Sequence, residues 1–283
     1  MNTLPGPGSV LVGVDGSTGS DLAVSWAAGL AEHRRRPLVV VHVATTPALY
    51  DAAGRVVANR ALENVRAHHP DVPVTAHALL GDPRAVLARL AADASALVVG
   101  SRGRGPMASL LLGSVSVALA AQAPCPVVVV RPHSAALAAS DQSVVVGVDG
   151  NPDSVDALTL AFELASSQYR TLEVVHAVGS LSLFPYPDLV GAGLLEQWQL
   201  AAERLLDESL VGYAQKFPDV VVHRRVVQES PTHALVAASR TATTVVVGCR
   251  GRGLVTSHLL GSVSRSVVEQ AHSTVVVVRG TGS

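Results

Sequence analysis

Short runs of Val, Leu and Ala without polar alternation recur along this 283-residue chain, separated by longer amphipathic stretches. Apolar runs of four to seven residues, rich in β-branched side chains, read as parallel strands buried on both faces. The pattern predicts strands near 9–15, 37–43, 73–79, 96–100 and 126–130, then near 143–149, 171–177, 220–227, 243–248 and 274–279. Helices are expected between the first five, near 18–34, 52–68, 83–94 and 112–122. Strict alternation with right-handed crossovers specifies an α/β fold. The expectation is two tandem, doubly wound, five-stranded parallel sheets of Rossmann-like type, strand order 3-2-1-4-5, with four helices each.

The two series are copies. Val10-Leu11-Val12-Gly13-Val14-Asp15-Gly16-Ser17 returns as Val144-Val145-Val146-Gly147-Val148-Asp149-Gly150-Asn151, an offset of 134 residues. Val98-Val99-Gly100-Ser101-Arg102-Gly103-Arg104-Gly105 returns as Val246-Val247-Gly248-Cys249-Arg250-Gly251-Arg252-Gly253, an offset of 148. The second copy therefore gained 14 residues between its second and third strands, a gain placed in 179–193 around Phe184 and Tyr186. The expected domains are 1–132 and 143–283, with a linker near 132–142.

Strand four of each copy runs into Gly-x-x-Gly-x9-Gly-Ser, as Gly100, Gly103, Gly113, Ser114 and as Gly248, Gly251, Gly261, Ser262. Such a loop suits a phosphate cradle. Gly100 and Gly103 permit positive φ and let backbone approach a ligand without a Cβ in the way. The helix opening at Gly113-Ser114 offers first-turn amides and the positive end of its dipole. The hydroxyls of Ser114 and Ser116, repeated as Ser262 and Ser264, add neutral donors, and Arg102 and Arg104 add charge or remain solvated. Asp15-Gly16 and Asp149-Gly150 end the first strands, facing the same crevice. These carboxylates can reach a ribose hydroxyl, an adenine amino group or a loop amide, or can close an Asx-turn or helix cap.

Asp15-Gly16-Ser17 after the first strand, Val41-His42-Val43 ending the second, and the glycine loop together resemble the ATP-binding branch of the universal stress protein family, in a tandem two-domain form. The resemblance covers nearly the whole chain. It implies an adenine nucleotide, ATP carried with Mg2+, between strands one and four. Asp15 and Val43 then sit near the adenosine, while Gly100, Gly103, Gly113, Ser114 and Val115 hold phosphates. Asp149, Ala177, Gly248, Gly251, Gly261, Ser262 and Val263 take the matching places. It further implies a role in stress, dormancy or growth regulation, with an unidentified regulatory protein as partner. Homodimerisation through the last strands is implied as well. Those valine edges need cover, and pairing the edges of the two halves would supply it. Second-half departures (Ala177 for Val43, Glu229-Ser230-Pro231 for Gly81-Asp82-Pro83) lead to the expectation of a weaker second site.

Composition narrows the alternatives. Lys+Arg 21 against Asp+Glu 22 leaves no basic stripe for nucleic acid. The run Arg34-Arg35-Arg36 falls where a helix ends and cations suit its dipole. Lys216 is the sole lysine, so a P-loop of the GxxxxGK[ST] type is unavailable. No apolar run approaches the roughly 18 residues of a membrane helix, and the start of the chain lacks signal-peptide character. A cytoplasmic protein without a membrane partner is expected. Cys125 and Cys249 make no disulfide framework. Cys249 lies in the second loop where a redox switch is conceivable, but Ser101 matches it and reads as a small-for-small exchange. The histidines lack ligand spacing for a metal, and His42 and His176 read as satisfied residues beside the crevice. With no base common to both loops, binding is favoured over catalysis. Slow ATP hydrolysis, or a nucleotide-free interaction module of the same fold, are the alternatives.

Overall fold

A computed structural model describes residues 6–47, 50–103, 112–132, 143–179, 192–250 and 260–280. They form two compact units, the first running to Pro132. In the first unit, β1 (Ser9–Val14), β2 (Leu38–Ala44), β3 (Val74–Leu80), β4 (Ala94–Gly100) and β5 (Val127–Val130) alternate with α1 (Thr18–Arg34), α2 (Arg55–His68), α3 (Pro83–Leu90) and α4 (Ser114–Gln122). The strands are parallel and ordered 3-2-1-4-5. In the second unit, β6 (Val144–Gly147), β7 (Leu172–Ala177), β8 (Val222–Val227), β9 (Thr244–Gly248) and β10 (Thr274–Val278) repeat that order, β6 taking the place of β1. Their helices are α5 (Pro152–Ser167), α6 (Ala192–Ser209), a one-turn α7 (Tyr213–Lys216), α8 (Pro231–Ala238) and α9 (Ser262–Gln270).

The unbroken apolar runs have the expected cause. Every residue of β1, β5 and β10 is buried, because helices cover both faces of a doubly wound sheet. Val10, Leu11 and Val12 are fully enclosed, as are Val144, Val145 and Val146. The third strands differ: β3 and β8 are half-buried to exposed.

Element ends follow local chemistry. The helix expected over 83–94 stops at Leu90, passes through a 3-10 turn at Ala91–Asp93, and gives way to β4 at Ala94. The helix expected from residue 52 is a π-turn over Tyr50–Gly54 before α2 begins at Arg55. Arg35, with φ 50°, closes α1 in the left-handed conformation, its amide and that of Arg36 bonding back to Glu32 and Ala31. The arginine run thus caps a helix. Among the described residues no helix is long and apolar enough to cross a membrane. The expected linker and the insertion bearing Phe184 and Tyr186 lie outside the described residues.

Candidate functional site

β1 and β4 are adjacent and parallel, so their carboxyl ends open one crevice, as β6 and β9 do in the second unit. At its rim Asp15 Oδ1 accepts from the Ser17 amide at 3.0 Å and the Ser17 hydroxyl at 2.6 Å, an Asx-turn. Ser17 in turn caps α1 by accepting from Ser20 N. In the second unit the Asn151 amide donates to Asp149 Oδ1 at 3.0 Å. Gly16 and Gly150 both take φ 78°, which a side chain would resist. The turn role left open by the sequence therefore occupies one oxygen of each carboxylate.

The glycine loops are pinned at their bases. Ser101 N donates to Val130 O and Gly113 N to Ser101 O, at 2.8 and 2.7 Å. Cys249 N donates to Val278 O and Gly261 N to Cys249 O, at 2.7 and 2.8 Å. The positive φ expected at Gly100 and Gly103 is not found. Space is what these glycines supply. A Cβ on Gly100 would lie 2.7 Å from the Gly19 backbone of α1, and one on Gly103 would overlap the Asp15 carboxylate. Gly100 and Gly103 thus lie against the start of α1 and against Asp15.

The serines divide their labour. Ser116 Oγ donates to Gly100 O at 2.7 Å and Ser264 Oγ to Gly248 O at 2.5 Å. Both are buried, so these hydroxyl protons serve the loop and not a ligand, contrary to the expectation. Ser114 and Ser262 are exposed at the first position of α4 and α9. Gly113 and Gly261 occupy the N-caps without a side-chain cap bond, so the cap residues themselves leave the first-turn amides of α4 and α9 uncovered. Positive charge gathers there too. Burial, and then the like charge of Arg102, pull the Arg131 guanidinium down to about 10. Arg104, Gly105, Gly251, Arg252 and Gly253 lie outside the described residues.

In the second unit these parts border a cavity of about 590 Å3. Asp149, Gly248, Arg250, Gly261, Ser262, Val263 and Ser264 line it, as does Ala177 of β7. Trp198, Ala201, Ala202 and Leu205, one face of α6 at helical spacing, form an apolar wall. The cavity is polar toward β6, β9 and α9 and apolar toward α6, while β7 contributes Val175 and Ala177 together with His176. His176, 7% exposed, also lines it, its Nδ1 lying 2.6 Å from Val148 O. His42 Nδ1 lies 2.8 Å from Val14 O in the first unit, so both histidines are satisfied at that nitrogen. Val43 is buried at the end of β2. The first unit shows a smaller cavity of about 110 Å3 between Gly16, Ser20 and Arg60.

Sequence reasoning missed two features. A Cβ on Gly13 or Gly147 would come within 2.9 Å of Leu87 or Leu235, so these strand glycines admit a leucine from α3 or α8 beneath the crevice. Their recurrence in Val-Gly-Val-Asp-Gly was the available signal. Trp198 had none, because α6 lies where the two copies diverge. The change from Asp82 to Ser230 exchanges one helix cap for another, each accepting from a backbone amide of its helix. Gly81 has φ 146°, a conformation Glu229 does not share. Cys249 is 1% exposed and matches buried Ser101, which fits a packing exchange. Burial pushes the Cys125 thiol up to about 12. Among the described residues no three His, Cys, Asp or Glu side chains gather as a metal site.

The Universal stress protein family model matches residues 8–131 and again 142–279. Universal stress protein Rv2005c of Mycobacterium tuberculosis is 38% identical over 289 residues, covering 95% of this chain and 96% of its own. A universal stress protein of Mycolicibacterium smegmatis is 36% identical over 287 residues, covering 95% and 96%. The crystal structure of a universal stress protein from Archaeoglobus fulgidus superposes with a TM-score of 0.65 at 22% identity, covering 96% of each chain. That similarity speaks to the fold.

Proposed function

The chain belongs to the universal stress protein family, in two tandem copies, and on that premise we propose that it is a regulatory protein governed by adenine nucleotide. The observation that carries this reading is the 590 Å3 cavity of the second unit, within the roughly 300–1,000 Å3 of small-molecule sites. Its two ends match the two ends of a nucleotide. Arg250, the exposed Ser262 hydroxyl and the uncapped amides of α9 suit phosphates. The Ala177 and Trp198 side suits a base. Asp149, with Oδ1 in its turn, lies where a ribose hydroxyl or a phosphate-borne Mg2+ would come.

ATP with Mg2+ is the proposed ligand of both units. In the first, Asp15, Gly16, Val43, Gly100, Arg102, Gly103, Gly113, Ser114 and Val115 are the corresponding residues; Ser116 supports the loop. In the second, Gly150 shapes the turn and Gly251 completes the glycine pattern. Binding rather than turnover is proposed. An efficient hydrolase positions a base at the attacking water, whereas Asp149 is tied to its own turn and His176 Nδ1 to the Val148 carbonyl just after β6. Occupancy would then set conformation, self-association or the docking of a protein partner during stress, in the cytoplasm.

Isothermal titration of the purified chain with Mg-ATP tests the reading. Saturable binding at micromolar concentrations is expected, and no heat and no thermal stabilisation up to millimolar ATP would contradict it. Hydrolysis faster than about 1 per second would replace binding by catalysis.

A further inference from the structure

His176 is 7% exposed, and among the described residues only one of its two ring nitrogens has a protein partner. Val148 O can only accept, so Nδ1 donates to it, and Nε2 is the acceptor of that tautomer. Nε2 is not among the buried polar atoms lacking partners, while His176 lines the cavity. Its open nitrogen therefore reaches the cavity. An acceptor facing an open cavity takes its hydrogen bond from water until a ligand replaces that water, and a ligand group that cannot donate there loses the bond. The same contact from a ring Nδ1 to a carbonyl recurs at His42 and Val14.

We propose that His176 is a specificity-determining residue of the second-unit site, accepting through Nε2 a hydrogen bond from the nucleoside part of the ligand. This rests on the nucleotide reading above. His176 ends β7, on the side that α6 walls with Trp198 and Leu205, and so meets the base and sugar, not the phosphates. The donor is the exocyclic amine of an aminopurine or a ribose hydroxyl. A ligand presenting only acceptors there binds more weakly, because two lone pairs then face each other.

Two substitutions separate this role from a merely structural one. Asn places its amide nitrogen where Nδ1 stands, so His176→Asn keeps the bond to Val148 O and removes the Nε2 acceptor. Gln places its carbonyl oxygen where Nε2 stands, so His176→Gln restores an acceptor and gives up the strand bond. With Trp26→Phe leaving Trp198 as the sole tryptophan, fluorescence of the full chain reports this cavity. Mg-ATP binding is expected to weaken about tenfold in His176→Asn at an unchanged melting temperature, and to be largely retained in His176→Gln. Purine riboside triphosphate, lacking the amine, and 2′- and 3′-deoxy-ATP identify the donor. The one analogue that loses affinity in the parent should lose nothing further in His176→Asn. Unchanged ATP affinity in His176→Asn, or the reverse order of the two variants, overturns the proposal and leaves nucleotide binding intact. An absence of ATP binding in the parent overturns both.

Discussion

Ser264 Oγ donates a 2.5 Å hydrogen bond to the Gly248 carbonyl, and Ser116 makes the same bond to Gly100 at 2.7 Å. In each unit this bond joins the first turn of the helix to the end of the fourth strand, across the glycine loop. Ser262, two residues earlier, is exposed. Ser264→Ala should therefore cost about 1 kcal/mol of stability, from a buried bond and an orphaned carbonyl. Ser262→Ala should leave the denaturation midpoint unchanged and weaken ATP several-fold. Chemical denaturation and titration of both variants check the division; equal loss of stability would contradict it.

Gly100→Ala brings a methyl group against the Gly19 backbone, which cannot swing aside as a side-chain end can. A destabilisation of about 1–3 kcal/mol is expected, typical of overpacking. Gly103→Ala instead displaces the Asp15 carboxylate or the loop above it. It should preserve the fold while lowering first-unit affinity more than about tenfold. Melting curves with and without ATP distinguish the two effects.

The sheet was legible in the sequence, strand by strand, because a parallel sheet covered on both faces writes itself as bare valine runs. Val127–Val130 and Thr274–Val278 illustrate this, and duplication let each copy check the other. The site was legible as composition but not as geometry. Gly100 and Gly103 announced a loop, yet nothing in their spacing says whether glycine supplies positive φ or room for Gly19 and Asp15. Ser114 and Ser116 look alike in sequence, and only the helix phase turns one outward and the other toward Gly100. Trp198 was invisible because its helix follows the insertion, where the copies no longer align.

Arg250 lines the second-unit cavity, Arg102 holds the matching position in the first copy, and Arg102 is close enough to lower Arg131 by like charge; in the proposed site both would meet phosphates. Arg102→Ala and Arg250→Ala should each weaken ATP about three- to tenfold and flatten its salt dependence, as expected when a cation to phosphate is removed. AMP affinity should change less. Titrations at two ionic strengths measure both effects, and an equal loss for AMP would move the arginines away from the outer phosphates.

Cys125 and Cys249 should not react with a thiol reagent in the native chain and should both react on unfolding, since both are buried. Cys125 also gives alkaline sensitivity a sign. Burial raises its folded pKa from 9.0 to about 12, so its contribution is intact below pH 9 and is lost as pH rises toward 12. Cys125→Ala should flatten stability over that window. Rapid native labelling of Cys249 would restore the redox-switch reading.

Small molecules released by denaturing the purified, unsupplemented chain, quantified by mass spectrometry, test the central claim most directly. Adenine nucleotide approaching two equivalents per chain is the predicted result, with one equivalent marking the second-unit cavity alone as filled if Asp149→Ala abolishes it. No nucleotide, followed by no thermal shift with Mg-ATP, would contradict the account and leave the fold as a scaffold for protein contacts.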